Sequence, residues 1–456
     1  MANCLGSSQS VTALDRDTRA SDALTTRGAS AAYAAGSFGT GVFSTVPTVI
    51  LLYFCTEILA LPVAWATAIV LLPKLWSILW DPLVGAWSDR TITRIGRRRP
   101  FMIAGLLGMP LAFVATFSPP ALDPLATALW VGTTYFLLAT LYSLFAVPYV
   151  AIPAELIGDS RLRARMITWR MFVVMLGILT GAGLVPWLVA LYGGGRAGYA
   201  SMSIGVAIAC MLAMAGPILI LRGLDVPRTS LFAVRPSGAR DTFRRALRDR
   251  PFLKLCLAYL LQLTASGAVT ATVPYLVTKF FGHADGDIGT ALFVMLIATT
   301  LTVTLWGRLG RQHGELRMLQ WAIVFYALAS LAIGAFALLR APWFVALFGF
   351  GLLGIPFAAM QVLPYTLVAS LVRASTVHNP AAEGALTGIW TATEKLALAL
   401  GPTITGLALW IAGTRDSAAL PVIAIAAACL LIAASIVVLR SVRLPPVSAA
   451  ESDPLR

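Results

Sequence analysis

The sequence predicts an all-α membrane protein of twelve transmembrane helices in two pseudo-symmetric six-helix bundles, and three observations predict it. Twelve apolar runs, each long enough to cross a bilayer, account for most of the 456 residues. Lys and Arg sort to one side of the membrane those runs define. Short motifs at the end of the fourth run return at the end of the tenth, as a duplicated chain requires. Composition agrees: 58% of residues are hydrophobic and 12% charged, with mean hydropathy +0.83. A soluble chain carries roughly a quarter charged residues.

The apolar runs fall at residues 31–58, 63–88, 101–119, 125–154, 166–192 and 200–221, then at 252–280, 288–306, 317–340, 342–372, 385–412 and 419–440. Residues 1–29 are polar and lack the apolar core and cleavage site of a signal peptide, so they read as a cytoplasmic tail. Residues 30–222 form the first bundle. Residues 223–250 break the pattern with Arg228, Arg235, Arg240, Arg244, Arg245, Arg248 and Arg250, and read as a basic cytoplasmic linker near anionic lipid. Residues 251–441 form the second bundle and 442–456 a second cytoplasmic tail. Of the 34 Lys and Arg residues, only four (Arg196, Lys279, Arg340, Arg415) then lie in outer loops, and three (Lys74, Arg170, Lys395) lie inside spans. With both termini cytoplasmic this obeys the positive-inside rule, so the net charge of +14 is a topology signal and no nucleic-acid partner is expected. The expected setting is the cell (inner) membrane, as a monomer in the lipid bilayer.

The duplication is seen in VPYVAIPAEL, around Pro148-Tyr149, against LPYTLVASLV, around Pro364-Tyr365; a Trp-containing span follows each, with Trp169 and Trp390. The Arg-rich loop after span 2 has a worn counterpart in WGRLGRQHGELR, Trp306 to Arg317, read as a loop after span 8. Gly177 and Gly181 on span 5, and Gly349, Gly351 and Gly354 on span 10, read as close-packing positions. Cys4, Cys55, Cys210, Cys256 and Cys429 are scattered without metal-ligand spacing, and no metal or other cofactor is expected.

Ionisable residues inside spans are costly and mark function or pairing. On span 2, Lys74, Ser77, Asp81, Gly85 and Ser88 fall on one helical face, a polar stripe suited to a water-filled cavity. Arg170 lies toward the cytoplasmic end of span 5, and Glu394 and Lys395 near the middle of span 11. Those neighbours diverge by about 100° on a helix, so one faces the cavity while the other turns to a neighbouring helix. Glu57 sits near the outer end of span 1. Asp81, then Glu394 and Glu57, are the candidates for binding a co-transported cation. Lys74, Ser77, Tyr149, Arg170, Gln361, Trp390, Thr391 and Lys395 are the candidates for binding substrate, with Trp390 or Tyr149 as a ring platform.

Span 2 ends in DPLVGAWSDRTITRIGRRRPF, Asp81 to Phe101. Gly85, Asp89, Arg90, Arg94, Gly96, Arg97, Arg98 and Arg99 resemble the loop motif of the major facilitator superfamily. Asp81-Pro82, the Arg99-Pro100-Phe101 ending and the span 11 run GIWTATEKLALALGP, with Lys395, resemble its glycoside–pentoside–hexuronide:cation symporter branch, which includes melibiose permease-like and sucrose–proton symporter-like members. The resemblance covers about residues 30–440 in topology. It implies a sugar or glycoside transporter with a cytoplasmic gate motif. Asp89, at the C-terminal end of its helix, would face another helix's N-terminus, such as that of span 11, or the Arg cluster. The branch's cation and sugar carboxylates fall here at Ser77, Asp81, Ala146 and Gly41, so the resemblance implies H⁺ coupling before Na⁺ coupling.

Other classes fit less well. No HExxH or GxSxG occurs, and His283, His313 and His378 are far apart, which argues against an enzyme. A channel would show a repeated pore loop or rings of charge. A lipid or drug carrier of the same fold, or a non-transporting membrane scaffold, remains the alternative to secondary active transport by alternating access.

Overall fold

In the computed structural model the described residues are 27–91, 93–156, 160–220, 249–376, 382–413 and 419–442. Apart from their edges, the two tails and the basic linker lie outside them, as does His378. Twelve helices among the described residues are long and apolar enough to span a membrane. They are α1 Ser30–Ile58, α2 Val63–Arg90, α3 Arg99–Phe117, α4 Pro124–Pro153, α5 Arg165–Leu191 and α6 Gly195–Ile220. Then come α7 Arg250–Phe280, α8 Asp285–His313, α9 Glu315–Leu338, α10 Trp343–Leu371, α11 Gly388–Ala412 and α12 Ala419–Arg440. Large apolar side chains stay exposed around these helices, Leu111 at 73% and Leu301 at 73% among them. On a soluble protein such side chains would make an aggregation site; on a multi-pass membrane protein they suit a lipid-facing surface.

The helices group into two compact units. The first holds α1–α6 together with Val273–Phe293, the tip of the α7–α8 hairpin; the second holds the remainder of α7 and α8 with α9–α12. In the first, α3 packs on α4 and α6; in the second, α9 packs on α10 and α12. The duplication seen in sequence is therefore also one of packing.

Helix ends explain two local departures. The stretch from Trp306 to Arg317, expected as a loop, is helical through His313 and turns on the single residue Gly314, whose φ of 91° suits a residue without a side chain. Hydropathy sees only the part of α8 in hydrocarbon, whereas its backbone ladder continues into the basic interfacial turn. In addition, α1, α5 and α7 each contain a wide five-residue π turn, at Phe54–Ile58, Thr180–Leu184 and Leu276–Phe280.

Candidate functional site

In the first unit the polar stripe of α2 is met by α1 and α4. Lys74 Nζ donates to Thr48 Oγ1 at 3.0 Å. Ser77 caps back onto Pro73 O, and Asp81 accepts from Ser143 of α4, a residue that is 1% exposed. Gly85 faces Val147, and Ser88 is buried on the same stripe. Trp76 and Trp80 stack on each other at 5.3 Å and donate their indole N–H groups to Thr140. These two rings pack α2 against α4 while the stripe beside them stays polar.

Tyr149, a candidate ring platform, is instead enclosed. Its phenol donates to Tyr33 O at 2.7 Å and meets Ser37 Oγ at 2.8 Å, while Tyr33 OH donates to Tyr149 O at 2.8 Å. This double clamp joins α1 to α4 and leaves Tyr149 1% exposed. Arg170 of α5 lies within electrostatic reach of both phenols. Seven residues on, Gly177 meets α1 so closely that a Cβ there would lie 2.5 Å from Phe38 O and 3.1 Å from Gly41 Cα.

Glu57, the third carboxylate candidate, pairs with Lys279 at 3.1 Å. Around it Tyr53 OH donates to Asp285 Oδ1 at 2.9 Å, and Thr56 and Tyr275 share a hydrogen bond of 2.7 Å. Glu57 is thus part of a clasp between α1 and the α7–α8 tip, all within the first unit.

The gate motif forms its own ion pair. Asp89 Oδ1 accepts from Arg98 Nη2 at 3.1 Å, with the Arg98 side chain 9% exposed and that of Asp89 50% exposed. Of the two partners expected for Asp89, the structure therefore supplies the Arg cluster. Gly96, with φ 99°, closes the turn that returns Arg98 to the helix end, while Arg90 and Arg94 are exposed.

In the second unit Glu394 accepts from Tyr365 OH at 2.8 Å. Behind them Trp390 and Tyr259 stack at 4.2 Å and 9° between planes, and Tyr365 stands at 71° to both rings. Trp390 is 3% exposed, so its ring is a packing face. Thr391 is exposed and Lys395 half-buried. Gln361 lies half-buried one turn before Tyr365. The structure thus sets Lys74, Ser77 and Asp81 on a stripe of α2 and Gln361, Trp390, Thr391, Glu394 and Lys395 on α10 and α11, while Glu57, Tyr149 and Arg170 lie on α1, α4 and α5.

A profile of the MFS/sugar transport proteins matches residues 32–444, nearly the whole chain. The chain belongs to this family. This MFS/sugar transport protein is 27% identical over 306 residues to YagG of Escherichia coli (strain K12), a candidate glycoside/cation symporter by its name, with 66% of this chain and 65% of that one covered. It is 22% identical over 391 residues to the isoprimeverose transporter of Lactiplantibacillus pentosus, covering 84% and 79%. The crystal structure of a D-xylose-proton symporter shares its fold, with TM-score 0.68 at 14% identity over 90% of this chain and 96% of that one. The matched stretch takes in less than two thirds of YagG's own length, and 31% of each of two further bacterial symporters.

Three residues of this family member escaped the sequence reading: Ser143, Tyr33 and Tyr259. Ser143 carries no local signal, since a serine in an apolar run usually bonds its own helix, as Ser143 also does to Ala139 O. The tyrosines did carry one. Ala32-Tyr33 lies eight residues before Gly41, and Ala258-Tyr259 eight residues before Gly267, so the duplication extends to α1 and α7.

Proposed function

We propose that this protein is a secondary active transporter that moves a sugar or glycoside across the membrane by alternating access, coupled to H⁺ symport ahead of Na⁺. The observation that carries the reading is Asp81: a carboxylate inside an apolar helix, in line with Lys74 and Ser77 and bonded to Ser143 of a second helix. Such a group is expensive in a membrane and marks an ion or substrate path. Proton binding turns one of its oxygens from acceptor to donor, which lets the contact with Ser143 re-form with its roles exchanged. That exchange gives the protein two arrangements whose balance a proton shifts. The relatives' names, a candidate glycoside/cation symporter, an isoprimeverose transporter and a D-xylose-proton symporter, support a sugar as cargo and a cation as partner.

In this reading Lys74, Arg170, Gln361, Thr391 and Lys395 offer hydrogen bonds to the cargo. The bundles of residues 30–222 and 251–441 exchange access to it, and the Asp89–Arg98 pair acts as a cytoplasmic catch. The protein works as a monomer in the inner membrane with both termini cytoplasmic. The test is uptake of labelled sugars into proteoliposomes under an imposed pH or Na⁺ gradient. Accumulation driven by the pH gradient alone supports the proposal; folded protein that moves no sugar under either gradient refutes it.

A further inference from the structure

The polar stripe takes one face of α2, and the opposite face carries a groove. At 100° per residue, Trp65 and Leu72 lie about 160–180° around α2 from Lys74. They face Leu129 and Phe136 of α4 across a channel of about 420 Å³. Its floor is made of small residues, Ala128 and Gly132, and a Cβ added to Gly132 would still stand 3.5 Å from Ile69 Cγ1. The walls are exposed, Leu72 at 57% and Leu129 at 62%, so the groove is open along its length. Phe136 packs on Trp76 at 5.2 Å and shuts the end toward the middle of both helices.

One span separates α2 from α4, so the two run in the same direction, and both begin at the other end of the groove. Trp65 stands in the first turn of α2, and Asp123 caps α4 by accepting from Leu125 N and Ala126 N at 3.0 Å each. From Trp65 to Pro73 α2 rises about 12 Å, and from Leu125 to Phe136 α4 rises about 16 Å. That is the depth of one leaflet, half of a hydrocarbon core about 30 Å thick. Volume over length leaves a cross-section of about 28 Å², whereas a helix about 10 Å across covers about 80 Å². A second protein helix therefore does not fit. Thr133 brings the only hydroxyl to the lining, so a sugar would leave most of its own hydroxyls unmet. At the mouth, one donor is on offer. Trp76, Trp80 and Trp130, on the same two helices, donate to Thr140 Oγ1, Thr140 O and Ala115 O, but Trp65 Nε1 meets no acceptor among the described residues. A tryptophan at a membrane interface offers its apolar ring to hydrocarbon and its N–H to the polar layer above.

We propose that this groove binds one acyl chain of a phospholipid, in the leaflet where α2 and α4 begin, with the Trp65 indole donating to the lipid's ester or phosphate oxygens. Under the topology proposed above, that is the outer leaflet. The groove is continuous with the exposed apolar surface of the spanning helices, so a chain reaches it sideways from the bilayer. A chain lying in it touches two helix walls and a floor, where a chain against a single convex helix touches one side, and every added contact contributes dispersion energy. An empty groove forfeits those contacts, and water has too few polar groups there to fill it. The site does not depend on what the protein carries.

The test uses the full chain, stripped of lipid in detergent and titrated with palmitoyl-oleoyl phosphatidylethanolamine, with native mass spectrometry counting the lipid that stays bound. Wild type is expected to keep a phospholipid after the bulk is washed away. Oleoyl lysophosphatidylethanolamine, with a single chain, should compete for the site, and glycerophosphoethanolamine, the headgroup without chains, should not. Gly132→Phe and Ala68→Phe fill the groove from either helix, so each should lose the bound lipid while melting, lipid-free, at or above the wild-type temperature. Trp65→Phe keeps a ring and loses the N–H, so it should raise the lipid's Kd about 3–10-fold. Displacement by the headgroup alone overturns the proposal, because charge and not the chain would then hold the lipid. Filled variants that keep the lipid overturn it. So do filled variants that both melt well below wild type, since the groove would not then be open space. An unchanged Kd in Trp65→Phe overturns the placing of the headgroup at the mouth, and wild type that keeps no phospholipid overturns the site outright.

Discussion

Gly177→Ala is expected to destabilise the protein, against the ordinary preference of a helix for alanine. Alanine is favoured over glycine by about 1 kcal/mol in a helix interior. Here the added Cβ would sit 2.5 Å from Phe38 O and 3.1 Å from Gly41 Cα, both on α1. Ordinary contact begins at 3.4 Å, so α1 and α5 have to separate by most of an ångström where both neighbours are backbone. Overpacking of this kind costs about 1–3 kcal/mol, which cancels or exceeds the propensity gain. Gly205→Ala is the matched control: it too lies in a spanning helix, but its added Cβ meets nothing within 4 Å. It should gain up to about 1 kcal/mol. The pair can be compared by heating detergent-solubilised protein with a thiol-reactive dye, because Cys55, Cys210 and Cys256 are free and buried and become reactive on unfolding. The control should melt higher than wild type and Gly177→Ala lower. A Gly177→Ala protein that melts with or above the control would refute the backbone-contact argument.

Asp81→Asn should abolish gradient-driven sugar accumulation while sugar exchange at equal concentrations persists; intact accumulation in proteoliposomes would make Asp81 structural. Arg98→Ala should slow turnover several-fold with sugar KM held within about twofold, and an unchanged turnover rate in single-turnover uptake would remove the catch from the mechanism. Lys279→Met leaves Glu57, whose side chain is 8% exposed, without that cation. A fully buried pair costs about 3–5 kcal/mol to break, and about 2 kcal/mol is expected here because Lys279 is 30% exposed. The double variant Glu57→Gln/Lys279→Met should recover most of that loss on the same thermal assay; a double variant no more stable than Lys279→Met would show that the pair is not the source of the cost.

The fold was legible because the bilayer enforces it. Runs of about 20 apolar residues have few other destinations, and most helix ends came within a few residues of the runs that forecast them. What failed at Trp306 to Arg317 failed for the same reason: hydropathy measures depth in hydrocarbon, and α8 remains helical after it leaves. The individual charged positions were legible because charges inside spans are rare. Their partners were not, since Ser143 lies 62 residues from Asp81 and Tyr33 lies 116 from Tyr149. Tyr149 and Trp390 show the limit plainly. An aromatic in a span reads alike whether it lines a cavity or fills a seam, and only the neighbouring ring or carbonyl decides.

The single-residue turn at Gly314 sets the halves apart mechanically. In the first half the corresponding connection is longer, and the Asp89–Arg98 ion pair joins its two ends. In the second half α8 and α9 meet with no slack between Gly310 and Met318, whose backbones are already bonded through Gly314. The two helix ends are thereby fixed to each other through one residue, like the two arms of a bent lever. An epitope inserted after Gly314 would therefore break this bonded turn, whereas the longer connection in the first half has more room for one.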